Sequence, residues 1–277
     1  MNLVRSELLK IRTTSTWWIF GLISLPLWAL TALFNWLQTD ALAGDAFGDM
    51  SDVPAEQAEQ LAAVQSVDAL AANVYTNGQF FGLLIVLLLG IIVVTSEFFH
   101  QTVTTTFLTV PHRSAVMASK LVAAAILALL FWLVTTGLNL FYGVLVLNSV
   151  DIGAQLGNGE VWTAVALNAL AYLLWAVLGV GIGVLIRSQI GATVTGILLY
   201  LGGSIGAVAV FSILASRWGD WINNLQVLVP SLASSLMVAG TEIPGNPPRW
   251  SGAAVLIGYA LVAGVIGTLT MRRRDIS

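Results

Sequence analysis

The sequence has no cysteine, only two histidines (His100 and His112), and so few charges that Asp, Glu, Lys and Arg together make up 9% of it. Without cysteine there is no disulfide and no thiolate metal site, so segments outside a membrane are held by packing alone. Neither His-Glu-x-x-His nor Gly-x-x-x-x-Gly-Lys-[Ser/Thr] occurs. That excludes the zinc-protease helix and the loop that cradles ATP phosphates. Glu97-Phe98-Phe99-His100 has the spacing of a helical carboxylate–histidine metal pair, but a single copy without further inward carboxylates makes a poor site. An intramembrane enzyme would need paired acids, histidines or a nucleophile with its base at membrane depth, and the apolar stretches offer none.

What the chain has is hydrophobic length. Apolar residues make up 57% of it and the mean hydropathy is +0.88, far from the composition of a soluble domain. Six stretches stand out, at 17–37, 79–96, 121–147, 161–186, 191–214 and 252–271. Each approaches or exceeds the roughly 20 apolar residues that cross a bilayer as a helix. They are too long and too uniformly apolar for the alternating strands of a barrel, so the expected fold is an all-α integral membrane protein with six transmembrane helices in one domain, 1–277.

Nine of the eleven cations lie at one alternating set of ends: Arg5, Lys10, Arg12, Arg113, Lys120, Arg187, Arg272, Arg273 and Arg274, against Arg217 and Arg249 at the other. The positive-inside rule then places both termini in the cytoplasm. Segment 38–78 becomes an external loop, acidic through Asp40, Asp45, Asp49, Asp52, Glu56, Glu59 and Asp68 and free of Lys and Arg. Its acidity suits a solvated loop, with a cation site as the sharper alternative. Residues 55–72, rich in Ala, Gln and Glu, could form a short external helix. The net charge of -3 averages two unlike faces and points to no nucleic-acid partner. The small-residue pattern Ala41-Leu42-Ala43 resembles a signal-cleavage site, but the preceding apolar run exceeds the usual signal core of about 7–15 residues, so it is read as a span.

Within the spans the polar content is mild. Asn35, Thr135, Asn139, Asn168, Tyr172 and Tyr200 either bond between helices or line a path. Gly179 with Gly183, and Gly202 with Gly206, have the small-xxx-small spacing that permits close helix contact, inside one subunit or along a dimer seam. A mid-membrane ionisable residue, which a proton relay would need, is missing from the spans. In 215–250, Trp218, Trp221, Ile222, Leu225, Val227 and Leu228 precede Pro230, and Leu232, Leu236, Met237 and Val238 follow it. That is too short for two more spans and suits an interfacial or re-entrant helical hairpin.

Two segments on the basic side carry the functional reading. In 1–16, Val4, Leu8 and Ile11 share a helical face flanked by Arg5 and Arg12, as in a helix lying in the membrane interface, although an ordinary positive flank reads equally well. Glu7 interrupts that face, which implies contact with protein or a pair with Lys10 at i,i+3. Segment 97–120 is longer than a turn needs, holds aromatic and apolar residues and is broken by Pro111, the marks of a docking surface. Glu97 ends an apolar span, so its charge needs a partner among Lys120, Arg113, Lys10 and Arg12.

These features resemble the permease subunit of an ABC-2 type ABC transporter, and the resemblance covers the whole chain. Glu97, Thr102, Leu108, Pro111, Arg113 and Lys120 follow the family's loop pattern, with Gln101 where that pattern has Gly. Ser6-Glu7-Leu8-Leu9-Lys10-Ile11-Arg12 is similar to its interfacial elbow helix and Arg273-Arg274-Asp275-Ile276 to its ending. The resemblance implies an elbow helix bearing Glu7, Lys10 and Arg12. It also implies a cytoplasmic coupling helix between spans 2 and 3, with Glu97, Phe99, Thr102, Phe107, Leu108, Pro111, Arg113 and Lys120 as the ATPase-coupling residues, and a re-entrant hairpin before span 6. Two permease chains, expected to be identical, would sit in the plasma-membrane lipid above two ATPase subunits that hold ATP and Mg, with no cofactor in this chain. The cargo would be an amphipathic or hydrophobic drug, antibiotic peptide or lipid. A non-transporting sensor or scaffold and an intramembrane enzyme are the alternatives, which an ATPase gene beside this one or a co-purifying ATPase would separate from the transporter.

Overall fold

The computed structural model describes residues 2–44, 54–110, 112–186 and 188–273. Asp45, Gly48, Asp49, Asp52, Pro111, Arg187 and the ending Arg274-Asp275-Ile276 lie outside the described residues. Among the described residues there is no strand, and twelve α-helices follow one another. They are α1 (Asn2–Thr13), α2 (Thr16–Ala43), α3 (Ala55–Val64), α4 (Val67–Tyr75), α5 (Gln79–Phe99), α6 (Val103–Thr109), α7 (Arg113–Ser149), α8 (Gly159–Leu185), α9 (Gln189–Ile197), α10 (Gly203–Trp218), α11 (Pro230–Val238) and α12 (Arg249–Arg273). Six helical segments are long and apolar enough to cross a membrane: α2, α4 with α5, α7, α8, α9 with α10, and α12. The protein is therefore a multi-pass, all-helical chain of membrane character.

Helices α5 and α8 form the centre. Ile85, Val86, Leu87, Gly90, Ile91 and Val94 of α5 are buried, as are Tyr172, Ala176, Gly179, Val180, Gly183 and Val184 of α8. Lipid tails are as apolar as leucine, so close van der Waals contact rather than the hydrophobic effect must hold such a pair. The glycines supply that contact. A Cβ on Gly179 would collide with the Leu87 carbonyl, and one on Gly183 or Gly90 would press on backbone of the facing helix. A Cβ on Gly202 or Gly206, by contrast, would meet nothing within 4 Å. One small-residue pair packs inside the subunit, and the other lies open.

The segment read as a loop at 38–78 is largely helical. Helix α2 continues to Ala43, burying Thr39 and Leu42, and α4 buries Leu70, Ala71, Ala72, Val74 and Tyr75. Ser66 caps α4 by accepting the Ala69 N–H at 3.3 Å, and Asp68 sits in its first turn, where the helix dipole favours an acid. The break between α4 and α5 is only Thr76-Asn77-Gly78, with Gly78 at φ +78°. Its carbonyls do not go unpaired: Asn139 Nδ2 donates to the Tyr75 and Asn77 carbonyls at 3.1 and 2.9 Å.

The segment before α12 is equally well fastened. A 3-10 stretch, Asp220–Leu228, leads into α11, which buries Ser231, Ala233, Ser234, Met237 and Val238. Trp175 Nε1 donates to Ser234 Oγ at 2.8 Å, Gln79 Nε2 to the Ser234 carbonyl at 3.2 Å and Ser204 Oγ to Ser231 Oγ at 2.7 Å. Helices α8, α5 and α10 thus all hold α11. Between α9 and α10 the chain forms a π-helical turn, Leu198–Gly202, around the buried Tyr200.

Candidate functional site: a buried ion cluster behind a short exposed helix

Helix α5 ends with Glu97 only 4% exposed. Across it lie Glu7 and Lys10 of α1, one helical turn apart, and Lys120 of α7, which is fully buried. Lys10 Nζ donates to Glu97 Oε1 at 2.6 Å and to Glu7 Oε1 at 2.8 Å. Lys120 Nζ donates to Glu7 Oε2 at 2.9 Å and to the Val93 carbonyl at 3.3 Å, and stands 3.0 Å from Glu97 Oε1. Two carboxylates and two ammonium groups thus tie three helices that are remote in sequence. Burial draws the Lys10 ammonium toward neutrality, but its hydrogen bonds to Glu7 and Glu97 and their charges prevail and raise its pKa above the ordinary 10.5.

The turn that leaves α5 is a Schellman cap. The Thr102 N–H donates to the Glu97 carbonyl at 2.9 Å and the Gln101 N–H to the Phe98 carbonyl at 3.3 Å. Such a cap puts the residue after the helix in the left-handed region, and Gln101 has φ +57°. Glycine would take that conformation without the Cβ penalty that glutamine carries there.

Helix α6 follows directly. Val103 is buried and roots it, and Thr106 Oγ1 donates to Glu97 Oε1 at 3.4 Å. Leu108 of α6 is 80% exposed and Phe99, the last residue of α5, 63%, so an apolar side chain points outward from this short helix and another from the end of α5 beside it, while the base of α6 is bonded to the cluster. Thr102 is exposed, Arg113 opens α7, and Arg12 is exposed on α1. The Phe107 side chain, like Pro111, lies outside the described residues. Sequence reasoning brought Glu7, Lys10, Glu97 and Lys120 forward but missed Thr106 and the Val93 carbonyl. No charge marks either, and only their places nine residues after and four before Glu97 hint at them.

The six mildly polar span residues do not converge. Asn35 Nδ2 donates to Asn73 Oδ1 at 3.1 Å, joining α2 to α4, and Asn139 accepts from Trp28 Nε1 at 2.7 Å. Tyr200 donates to the Phe80 carbonyl at 2.6 Å, and Thr135 lies 3.5 Å from the Tyr172 hydroxyl. Asn168 is buried with its Oδ1 unpartnered. Two cavities lie elsewhere. One of about 120 Å³ adjoins Glu97, and one of about 250 Å³ lies between α2, α4 and the segment after α11. Glu97 is committed to its lysines, and among the described residues no group of three or more His, Cys, Asp or Glu could hold a metal ion.

Residues 52–277 match the family described as Protein of unknown function (DUF2705), and the chain belongs to that family. No curated protein matches the chain. The matched range takes in Glu97, α6 and Lys120, while Glu7 and Lys10 precede it.

Proposed function

We propose that this DUF2705-family chain is the permease subunit of an ATP-driven ABC exporter of the ABC-2 type, forming the path for an amphipathic or hydrophobic drug, antibiotic peptide or lipid. The observation that carries the reading is the pairing of a short exposed helix, α6, which turns Leu108 outward next to the exposed Phe99, with a four-charge cluster at its base. A mere connection needs neither. A lever needs both: a surface for another protein to grip, and a rigid root that passes the force on.

In this reading α1 is the elbow helix at the cytoplasmic interface, α6 the coupling helix, and the 3-10 stretch with α11 a re-entrant hairpin on the external side. Two such chains pair in the plasma membrane, both termini cytoplasmic, above two ATPase subunits that bind ATP and Mg. Closure of the ATPases displaces α6. The Schellman cap and the Thr106–Glu97 bond transmit that displacement to α5, and Lys10 and Lys120 carry it to α1 and α7. Helix α5, 21 residues long, reaches about 31 Å. Its far end holds the π-helical turn between α9 and α10 through Tyr200 and Phe80, and α11 through Gln79 and Ser234. A push at α6 therefore moves the opposite end of the bundle without any contact between ATPase and cargo.

The test is coupling in the reconstituted permease–ATPase complex. Glu97→Ala should still insert in the membrane but either dock the ATPase weakly or hydrolyse ATP without transport. Wild-type assembly and transport by that variant would reduce α6 to a connection.

A further inference from the structure

The 250 Å³ cavity lies at the end of α5 opposite α6, where α2, α4, the start of α5, α11 and the segment after it meet. Pieces of chain remote in sequence build it, so it is a product of the fold and not of a local turn. Its wall has two parts. Leu42, Val64, Leu70, Val238 and Ile243 are aliphatic, while Asn73 and Gln79 bring carboxamides. Among the described residues no charged side chain and no aromatic ring lines it. A carboxylate, phosphate or ammonium therefore finds no counter-charge in the wall, and a base or sugar ring finds no aromatic face to pack on.

The two carboxamides are engaged in opposite senses. Asn73 Oδ1 accepts from Asn35 Nδ2 at 3.1 Å, and Gln79 Nε2 donates to the Ser234 carbonyl at 3.2 Å. Each side chain carries a donor and an acceptor, so what is left over among the described residues is a donor, Asn73 Nδ2, and an acceptor, Gln79 Oε1. Neither is sealed off: Asn73 is exposed, Gln79 is half-buried and its Oε1 keeps surface open to water. A hydrocarbon tail would strip water from both and return no hydrogen bond. A peptide backbone offers one C=O and one N–H at each residue, and an aliphatic side chain suits the rest of the wall. At ~30 Å³ per water the space equals about eight waters, room for one such side chain and the peptide groups beside it.

We propose that this cavity binds an uncharged peptide segment with an aliphatic side chain. Asn73 Nδ2 donates to a backbone carbonyl, Gln79 Oε1 accepts from a backbone N–H, and the side chain lies against Leu42, Val64 and Ile243. Gln79 also ties α5 to α11, so the occupant touches the end of α5 farthest from α6. The inference narrows the cargo of the exporter reading to peptide, and it rests on that reading only in calling the occupant cargo.

The full chain in phosphatidylcholine nanodiscs is titrated calorimetrically with acetyl-leucine methylamide, with its analogue bearing ester oxygens in place of both N–H groups, and with methyl glucoside, empty nanodiscs serving as the baseline. The amide should bind about fivefold more tightly than the ester, and methyl glucoside should not bind. Asn73→Asp keeps the oxygen that Asn35 needs but removes the free donor, and should weaken amide and ester alike by about tenfold. Ala69→Phe, which places a ring in the cavity wall, should abolish binding of both. Melting temperatures establish that each variant folds, and if Ala69→Phe does not, Asn73→Asp, altered at an exposed residue, decides alone. Equal affinity for amide and ester, undiminished binding by folded Asn73→Asp, or methyl glucoside binding as tight as that of the amide would overturn the proposal. Because binding is read on the chain alone, such a failure leaves the ATPase-coupling test intact.

Discussion

At the scale of single residues, the cluster's members are unequal because their burial differs. Lys120 has no solvent to replace its partners, so Lys120→Met strands Glu7 and Glu97 with Lys10 alone and should cost about 3–5 kcal/mol, read as a large fall in detergent melting temperature. Lys10→Met should cost clearly less, since solvent screens a side chain that is 44% exposed. The folded-state pKa of Lys10 lies above 10.5, so its contribution is fully present below that unfolded value and is lost as pH rises through the folded one. Melting temperature should therefore hold to about pH 10 and fall beyond it, with a smaller fall in Lys10→Met. Gln101→Gly should stabilise the chain by about 0.5–1 kcal/mol, since the relief of a left-handed glutamine outweighs the added freedom of the unfolded glycine. Much at this scale was legible in the sequence. The i,i+3 spacing gives Glu7–Lys10, and the need to neutralise a charge ending an apolar span gives Glu97 a cationic partner. Which of four cations would answer was not legible, because that depends on how α1 and α7 cross α5.

At the scale of elements, spacing alone could not separate the two glycine pairs, which look identical in one dimension. Gly179→Leu should overpack the α5–α8 contact by at least about 1–3 kcal/mol, whereas Gly206→Leu, where a side chain meets open space, should leave the melting temperature unchanged. Helix α4 was hidden for another reason: its acidic, alanine-rich context reads as solvated, and its burial comes from α2, α7 and α8 closing over Leu70, Ala71 and Tyr75. Asn139 likewise could have lined a path or bonded helices. Only the broken backbone between α4 and α5, with carbonyls that need donors, explains its position. For α6 the decisive element test is Leu108→Asp. Leu108 is 80% exposed, so the variant should fold and insert normally yet lose ATPase docking in co-purification.

At the scale of the whole molecule, six spans and a one-sided charge distribution require both termini on one side. Reporters at Ser277 and just before Trp17 should both read as cytoplasmic, and one within 54–66 as external. The central claim, that α6 is the surface an ATPase grips, is open to a direct measurement because the chain contains no cysteine of its own. Leu108→Cys places a single thiol on α6, and Glu59→Cys places one on exposed α3 as a control. After bifunctional crosslinking in native membranes and identification of the adducts by mass spectrometry, Leu108→Cys should join a protein bearing a phosphate-binding Gly-x-x-x-x-Gly-Lys-[Ser/Thr] loop, in a yield that changes with ATP, and Glu59→Cys should not. A folded, inserted Leu108→Cys chain that yields no such ATPase adduct, or yields it no better than Glu59→Cys, would contradict the account.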